Sequence, residues 1–358
     1  MKKNIQIILG LLIGVFLMWF LFRDTDWNEV WAALRKAHIG WLALGLFFIL
    51  LGFVVRIWRW GYIVNPVTPV SFWHLFSATQ IGFLGNFVLP ARIGEVIRAL
   101  ALSRSQNIPF PKTVAYVALD RLTDLFGLVA VFIVTLIVFN PTQDVYLPEE
   151  FHGLYAKPIS REMIRGTVYT LTFLMLAGVL MLMVLFAQKK MFLALSDKIL
   201  GYVSTRLATF VHGIFEHFAE GMQVLTSYGN LAKATGVSLL LWGTFALSQA
   251  AIYRAFDVEV PWYTPFVVLS VLSIFISIPG PPGFIGPFHA GIVGGLILVA
   301  PQINVNAARA IAIFAHLYNL IPIIIIGVIC LSFERLGLRE LSREGEEITS
   351  SDPPSESP

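Results

Sequence analysis

Long apolar runs separated by short basic connections constrain this chain more than any other feature. Residues 5–22, 39–55, 114–139, 167–187, 234–253 and 310–333 each approach the roughly 20 apolar residues that cross a bilayer as a helix. In hydrocarbon every backbone N–H and C=O needs a partner inside the protein, which leaves helices and closed barrels, and runs of this length select helices. The fold class this predicts is all-α, a polytopic integral membrane helical bundle. Hydrophobic residues make up 57% of the 358 and charged residues 13%, with a mean hydropathy of +0.76, which places the chain in the same class. The net charge of +3 implies no nucleic-acid partner, since the basic residues sit where membrane topology wants them. The lone cysteine, Cys330, lies inside an apolar run, so neither a disulfide framework nor a cysteine metal site is expected, and no metal or cofactor.

Two further segments are broken. Residues 72–89 form a weakly polar dipping segment with a short helix, 92–98, behind it. Residues 262–279 lead into the turn PGPPGFIG, and 285–300 follow it. Either this second pair crosses the membrane twice, giving eight crossings, or it forms a hairpin dipping from outside, giving six; the charges fit both. Residues 5–22 lack a small-residue cleavage site before Arg23 and read as a retained helix. Lys2, Lys3 and the stretches 56–112, 189–233 and 335–343 are the basic sides, while the loops 257–261 and 301–306 carry little positive charge. Both termini are therefore expected in the cytoplasm, with the chain in the cell (inner) membrane. A transmembrane domain over 1–336 would hold an amphipathic helix at 190–226, lying on the membrane surface or packed as a soluble helical hairpin. Residues 337–358 read as a disordered cytoplasmic tail.

The stretch GFLGNFVLPARIGEVIR, residues 82–98, places Asn86, Arg92, Glu95 and Arg98 beside apolar sequence. An unpaired ionised group at the bilayer centre costs roughly 2.5–3.5 kcal/mol, so such charges pair with one another or with a ligand unless the segment is a cytoplasmic loop. In Arg92-x-x-Glu95-x-x-Arg98 the spacing of three lets Glu95 pair with either arginine, leaving guanidinium donors over. Arginine grips phosphate with a planar fork. Asp120-Arg121-x-x-Asp124 lies within an apolar helix, where two close carboxylates favour an adjacent cation such as Arg92 or Arg98, or a self-neutralised interhelical staple. The run PGPPGFIGPFH, residues 279–289, cannot be regular helix and makes a backbone-exposed break. His289 at its end can titrate or donate to a head group, or be held by a backbone carbonyl. His316, Asn319 and Pro322 share one face of the last helix and read first as packing. One broken segment in each half of the chain is the pattern of transporters with inverted repeats around a binding site.

Asn86-x-x-x-Pro90-x-Arg92-x-Gly94-Glu95-x-x-Arg98, then Asp120-Arg121-x-x-Asp124, then the break ending in Gly283-x-x-Gly286, resembles the lysylphosphatidylglycerol synthase transmembrane-region family over roughly residues 5–335. This is also called the flippase-like domain family and includes the membrane half of the bacterial multiple peptide resistance factor. The resemblance implies a polytopic helical fold and translocation of phospholipid between leaflets. The resistance factor carries an aminoacyl-transferase domain after its membrane part; here only a short segment follows Arg343, so synthesis of lysyl-lipid is not expected. Many relatives have an acidic residue where this sequence has His289, so the lipid handled can differ.

The expected function is lipid transport: binding or moving a phosphate-bearing lipid, with the chain acting alone or as a homo-oligomer. Arg92 and Arg98 would hold the phosphate. Glu95, Asn86, Asp120, Arg121 and Asp124 would order them, and Gly283, Gly286 and His289 would form the opposite wall. The competing classes are a lipid-modifying enzyme using Glu95, Asp124 or His289 as acid–base groups, and a scaffold whose charges are purely structural. No recognised nucleophile, nucleotide loop or metal motif supports the enzyme.

Overall fold

The computed structural model describes residues 2–89, 93–141, 144–148, 157–187, 228–277 and 281–350. Arg92, the 190–226 amphipathic helix and the tail beyond 350 lie outside the described residues. Among those described there are twelve α-helices and no named strand. In chain order they are α1 Lys2–Phe22, α2 Trp27–Lys36, α3 Ile39–Val64, α4 Phe72–Val88, α5 Gly94–Gln106, α6 Phe110–Val138, α7 Arg161–Ala187, α8 Tyr228–Ala255, α9 Thr264–Ser277, α10 Pro287–Val299, α11 Val305–Glu334 and α12 Leu338–Ser350. Five stretches are long and apolar enough to cross a membrane: Ile39–Val64, Phe110–Val138, Ala232–Ala255, Pro282–Val299 and Val305–Glu334, the fourth counting the turn before α10. The protein is a multi-pass helical membrane protein.

The chain divides into two compact units, and the division falls inside several of the long helices. The first comprises Met1–Phe53, Gly127–Met175 and Leu239–Pro322. Its core packs Leu21 of α1 with Tyr253, Leu272, Ile292, Ile311 and Ala315. Arg309 is fully buried here and caps the end of α1, its Nε donating to the Leu21 carbonyl at 2.7 Å and its Nη1 to Asn306 Oδ1 at 2.8 Å. A cation at a helix C-terminus meets the negative end of the helix dipole, which gives a buried charge a partner that needs no carboxylate.

Helices α9 and α10, of 14 and 13 residues, form a tight hairpin within this unit. Each rises about 20 Å, short of the roughly 30 Å hydrocarbon core. A Cβ on Gly291 would meet Leu272 Cα at 2.7 Å and one on Gly295 would meet Val268 Cα at 2.9 Å, so the pairing runs antiparallel and needs glycine. Before α10 the chain turns through a 3₁₀ turn, Pro282–Phe284, with Gly283 at φ 67° and Gly286 at φ 95°. A side chain on Gly286 would also strike the Gly14 carbonyl of α1, 2.7 Å away.

The second unit comprises Val54–Phe126, Leu176–Ser238 and Ile323–Pro358. Its core joins Ile57, Trp60, Ile81, Ile97, Leu100, Leu119 and Leu341. Here α4 and α5, of 17 and 13 residues, make the other short-armed hairpin. A Cβ on Gly82 would lie 2.8 Å from the Gly94 carbonyl, and one on Gly85 would lie 3.2 Å from Gly94 Cα.

Residues 338–350 depart from the disordered tail expected of them. They form α12, because this segment has a buried face as well as charge. Leu341 is fully buried in the core with Ile97 and Leu100, and Gly345 faces Val96 and Leu100 of α5. Arg104 of α5 then pairs with Glu340 at 3.1 Å and with Glu344. Its hydrogen bond to Glu340 is the largest influence that raises the Arg104 pKa above its ordinary value, against modest desolvation.

Candidate functional site

The densest buried charge in the described residues lies in the second unit. Helix α3 carries Arg56 and Arg59 three residues apart, and α6 carries Asp120 and Asp124 four apart, so each pair lies on one helical face. Arg59, fully buried, fits between the two carboxylates. Its Nη2 is 2.8 Å from Asp120 Oδ1, its Nη1 is 2.9 Å from Asp124 Oδ1, and Nη1 also reaches Ser238 Oγ at 3.1 Å. Ser238, on α8, itself donates to the Thr123 carbonyl at 2.8 Å. Arg56 Nη1 meets the other oxygen of Asp124 at 3.2 Å.

Asp120 spends its second oxygen on Arg98 of α5, 2.7 Å from Nη1. Arg98 is 1% exposed, and its guanidinium carbon sits 3.7 Å from the centre of the Trp60 ring. Its Nε and Nη2 have no hydrogen-bond partner among the described residues. A buried donor left unpaired costs about 1–3 kcal/mol. Glu95 pairs with Arg121, and Arg121 Nη1 reaches Asp124 Oδ2 at 3.3 Å. Asn86 Oδ1 accepts from the Gly94 N–H at 2.9 Å, satisfying an N-terminal donor of α5, and its Nδ2 points at Glu95 Oε1 at 3.5 Å. Among the described residues the joined set holds Arg56, Arg59, Arg98 and Arg121 with Glu95, Asp120 and Asp124. The same unit has an open groove of about 490 Å³ lined by Ile57, Trp58, Tyr62, Pro66, Phe72 and Leu75, mostly apolar.

The structure thus brings together six of the residues singled out from the sequence: Asn86, Glu95, Arg98, Asp120, Arg121 and Asp124. Their pairing differs from the one the spacing suggests. Glu95 bonds Arg121 of α6 rather than Arg98, whose Nη1 is taken by Asp120 of the same helix. Arg92 lies outside the described residues. Gly283, Gly286 and His289 belong to the other unit. There His289 is 4% exposed, its ring edge-on to Phe22 at 5.7 Å and 4.8 Å from His316. His289 Nδ1 has no partner among the described residues, whereas His316 Nε2 donates to the Gly283 carbonyl at 2.6 Å. The backbone-carbonyl anchor considered for His289 therefore belongs to His316, which pins the Pro/Gly break from the last long helix.

Sequence reading missed Arg56, Arg59, Trp60 and Ser238. Arg56 and Arg59 close an apolar run, where basic residues ordinarily mark the cytoplasmic end. Their three-residue spacing, complementary to the four-residue spacing of Asp120 and Asp124, was the available signal. Nothing local marks Ser238 as part of the site: besides the Ala234 carbonyl one turn back, its partners Arg59 and Thr123 are more than 100 positions away.

The family model for the lysylphosphatidylglycerol synthase TM region matches residues 7–327. A curated relative, named glycosyltransferase AglD, from Haloferax volcanii, is 24% identical over 333 residues, covering 88% of this chain and 52% of that protein. The chain thus spans about half the length of the curated relative it matches.

Proposed function

The chain belongs to the lysylphosphatidylglycerol synthase transmembrane-region family, and from that premise we propose that it binds a phosphate-bearing lipid and passes it between leaflets. One observation carries the reading: Arg98, buried and held by Asp120 and Trp60, has no hydrogen-bond partner for its Nε–Nη2 edge among the described residues. That edge is the side of a guanidinium that accepts two oxygens of a phosphate or carboxylate in one plane. The two short-armed hairpins support transport, since each is built from two separate helices of 13–17 residues in place of one long span.

On this reading the hairpins dip into the membrane, both termini face the cytoplasm, and the chain does not itself carry out group transfer. The glycosyltransferase name of the relative describes a protein about twice as long; the shared half is read as its lipid-handling part.

The test is reconstitution in phosphatidylcholine vesicles with fluorescent phosphatidylglycerol, following leaflet exchange by dithionite quenching. Wild type accelerates exchange. Arg98→Lys, which keeps the charge and loses the fork, inserts and folds yet loses most of the activity, tenfold or more, on the order of one charge-assisted bidentate contact. Full activity in Arg98→Lys, or no exchange by wild type of any phospholipid or lipid carrier tried, refutes the proposal and favours the scaffold reading.

A further inference from the structure

The side chain on which Arg98 lies is as well fixed as Arg98 itself. Trp60 is fully buried, and its Nε1–H donates to the Tyr116 carbonyl at 3.3 Å. Tyr116 is buried in turn, its hydroxyl 2.8 Å from Thr68 Oγ1. The indole is therefore anchored at its polar edge and presents a face. At 3.7 Å from ring centre to guanidinium carbon, Arg98 is in stacking contact with that face.

We propose that Trp60 is a positioning residue for the phosphate contact; this rests on the reading of Arg98 given above. The ring sets the plane of the guanidinium, and Asp120 Oδ2 on Nη1 sets its rotation within that plane. With both fixed, the Nε–Nη2 edge points in one direction before any ligand arrives. The rotamer freedom of a long side chain is then given up on folding and not on binding, which raises affinity without adding a contact to the ligand. Two acceptor oxygens on one centre, as in a phosphodiester, match that edge. Trp60 touches Arg98 and not the ligand, so its effect passes wholly through the guanidinium.

That dependence gives a double-mutant test. Binding of dihexanoylphosphatidylglycerol to the detergent-solubilised full chain is titrated calorimetrically in wild type, Trp60→Leu, Arg98→Lys and the double variant. Thermal stability is measured in parallel. Trp60→Leu weakens binding about tenfold in the wild-type background, on the scale of one desolvated cation–π contact. In the Arg98→Lys background the same substitution changes binding less than twofold, while its stability loss is the same in both. Equal weakening in both backgrounds, or none in the wild-type background, overturns the inference. Where Trp60→Leu fails to fold, Trp60→Phe takes its place. It keeps a ring face and loses the anchor to Tyr116, and the expected weakening is about threefold, again confined to the Arg98 background. If Arg98→Lys binds like wild type, the phosphate reading of Arg98 falls first and this inference with it; if Arg98→Lys loses binding and Trp60 variants do not, only this inference falls.

Discussion

Asp120 is the hinge of the charge network, and removing it tests whether the network is one buried unit. The residue is fully buried and accepts from Arg59 Nε at 3.1 Å, Arg59 Nη2 at 2.8 Å and Arg98 Nη1 at 2.7 Å. In Asp120→Ala, Arg59 keeps Asp124 and Ser238, whereas Arg98 loses its only hydrogen-bond partner among the described residues. Stranding one member of a buried pair costs about 3–5 kcal/mol. Arg98→Met alone leaves Asp120 with Arg59 and should cost less, about 1–2 kcal/mol. In the double variant Asp120→Ala/Arg98→Met the stranded charge is gone, so it should be more stable than Asp120→Ala by about 1–2 kcal/mol despite carrying one more change. The coupling energy should then be about 2–4 kcal/mol, or roughly 30- to 900-fold in the folded-to-unfolded ratio. Equilibrium unfolding in mixed dodecylmaltoside–dodecylsulfate micelles, followed by circular dichroism, measures all four proteins. Strictly additive losses would mean that Arg98 and Asp120 sit apart in solvated surroundings, and the reasoning would be wrong.

The hairpins give a second set of outcomes in the same unfolding assay. Gly94→Ala pushes a methyl into the Gly82 carbonyl and the Asn86 side chain, and Gly291→Ala pushes one into Leu272, so each should cost about 1–3 kcal/mol. Gly236→Ala and Gly243→Ala, in α8 with no neighbour within 4 Å, should be neutral or stabilising by up to about 1 kcal/mol. Arg104→Ala should loosen α12 by under about 1 kcal/mol, since Arg104 and its carboxylates are partly exposed, and raised salt should reproduce the effect. Amide exchange over 338–350 reads this out. The Arg104 pKa lies above its ordinary value, so its contribution is complete below that ordinary value and is lost only as pH rises through the raised one. Between about pH 6 and 9 protonation of Arg104 therefore leaves the clamp unchanged.

What could be read from the sequence divides along a physical line. Apolar length is a local property, so the long spans and both broken segments were legible before any contact was known. So was the set of acidic and basic residues lodged in apolar sequence, because a charge there is costly wherever the chain goes. The identity of its partner is not local. Glu95 has arginines at i−3 and i+3, and either would do on an isolated helix; the choice of Arg121 follows from where α6 brings that side chain. Arg59 shows the same limit in reverse. At the end of an apolar run it satisfies the topology rule completely, and that sufficiency hides its second role between two carboxylates. The last helix fails differently: beyond Arg343 composition alone reads as disorder, yet one leucine two residues earlier anchors α12 to the core.

This division also explains why Arg98 stands out from its neighbours. In a staple, each carboxylate would be placed to exhaust the donors of its arginine, as Asp120, Asp124 and Ser238 together engage Arg59 at Nε, Nη1 and Nη2. Arg98 has the same chemistry and nearly the same burial, but among the described residues only its Nη1 is hydrogen-bonded. Glu95, three residues away on the same helix, could have taken the remaining edge and instead faces Arg121 and Asn86. A buried guanidinium held on one nitrogen and one face, beside a carboxylate whose Oε1 serves Arg121 and Asn86, is costly as architecture and, on the proposed function, sensible as a receptor. On the function proposed above, that cost is met when two oxygens of a lipid phosphate engage the edge during the working cycle.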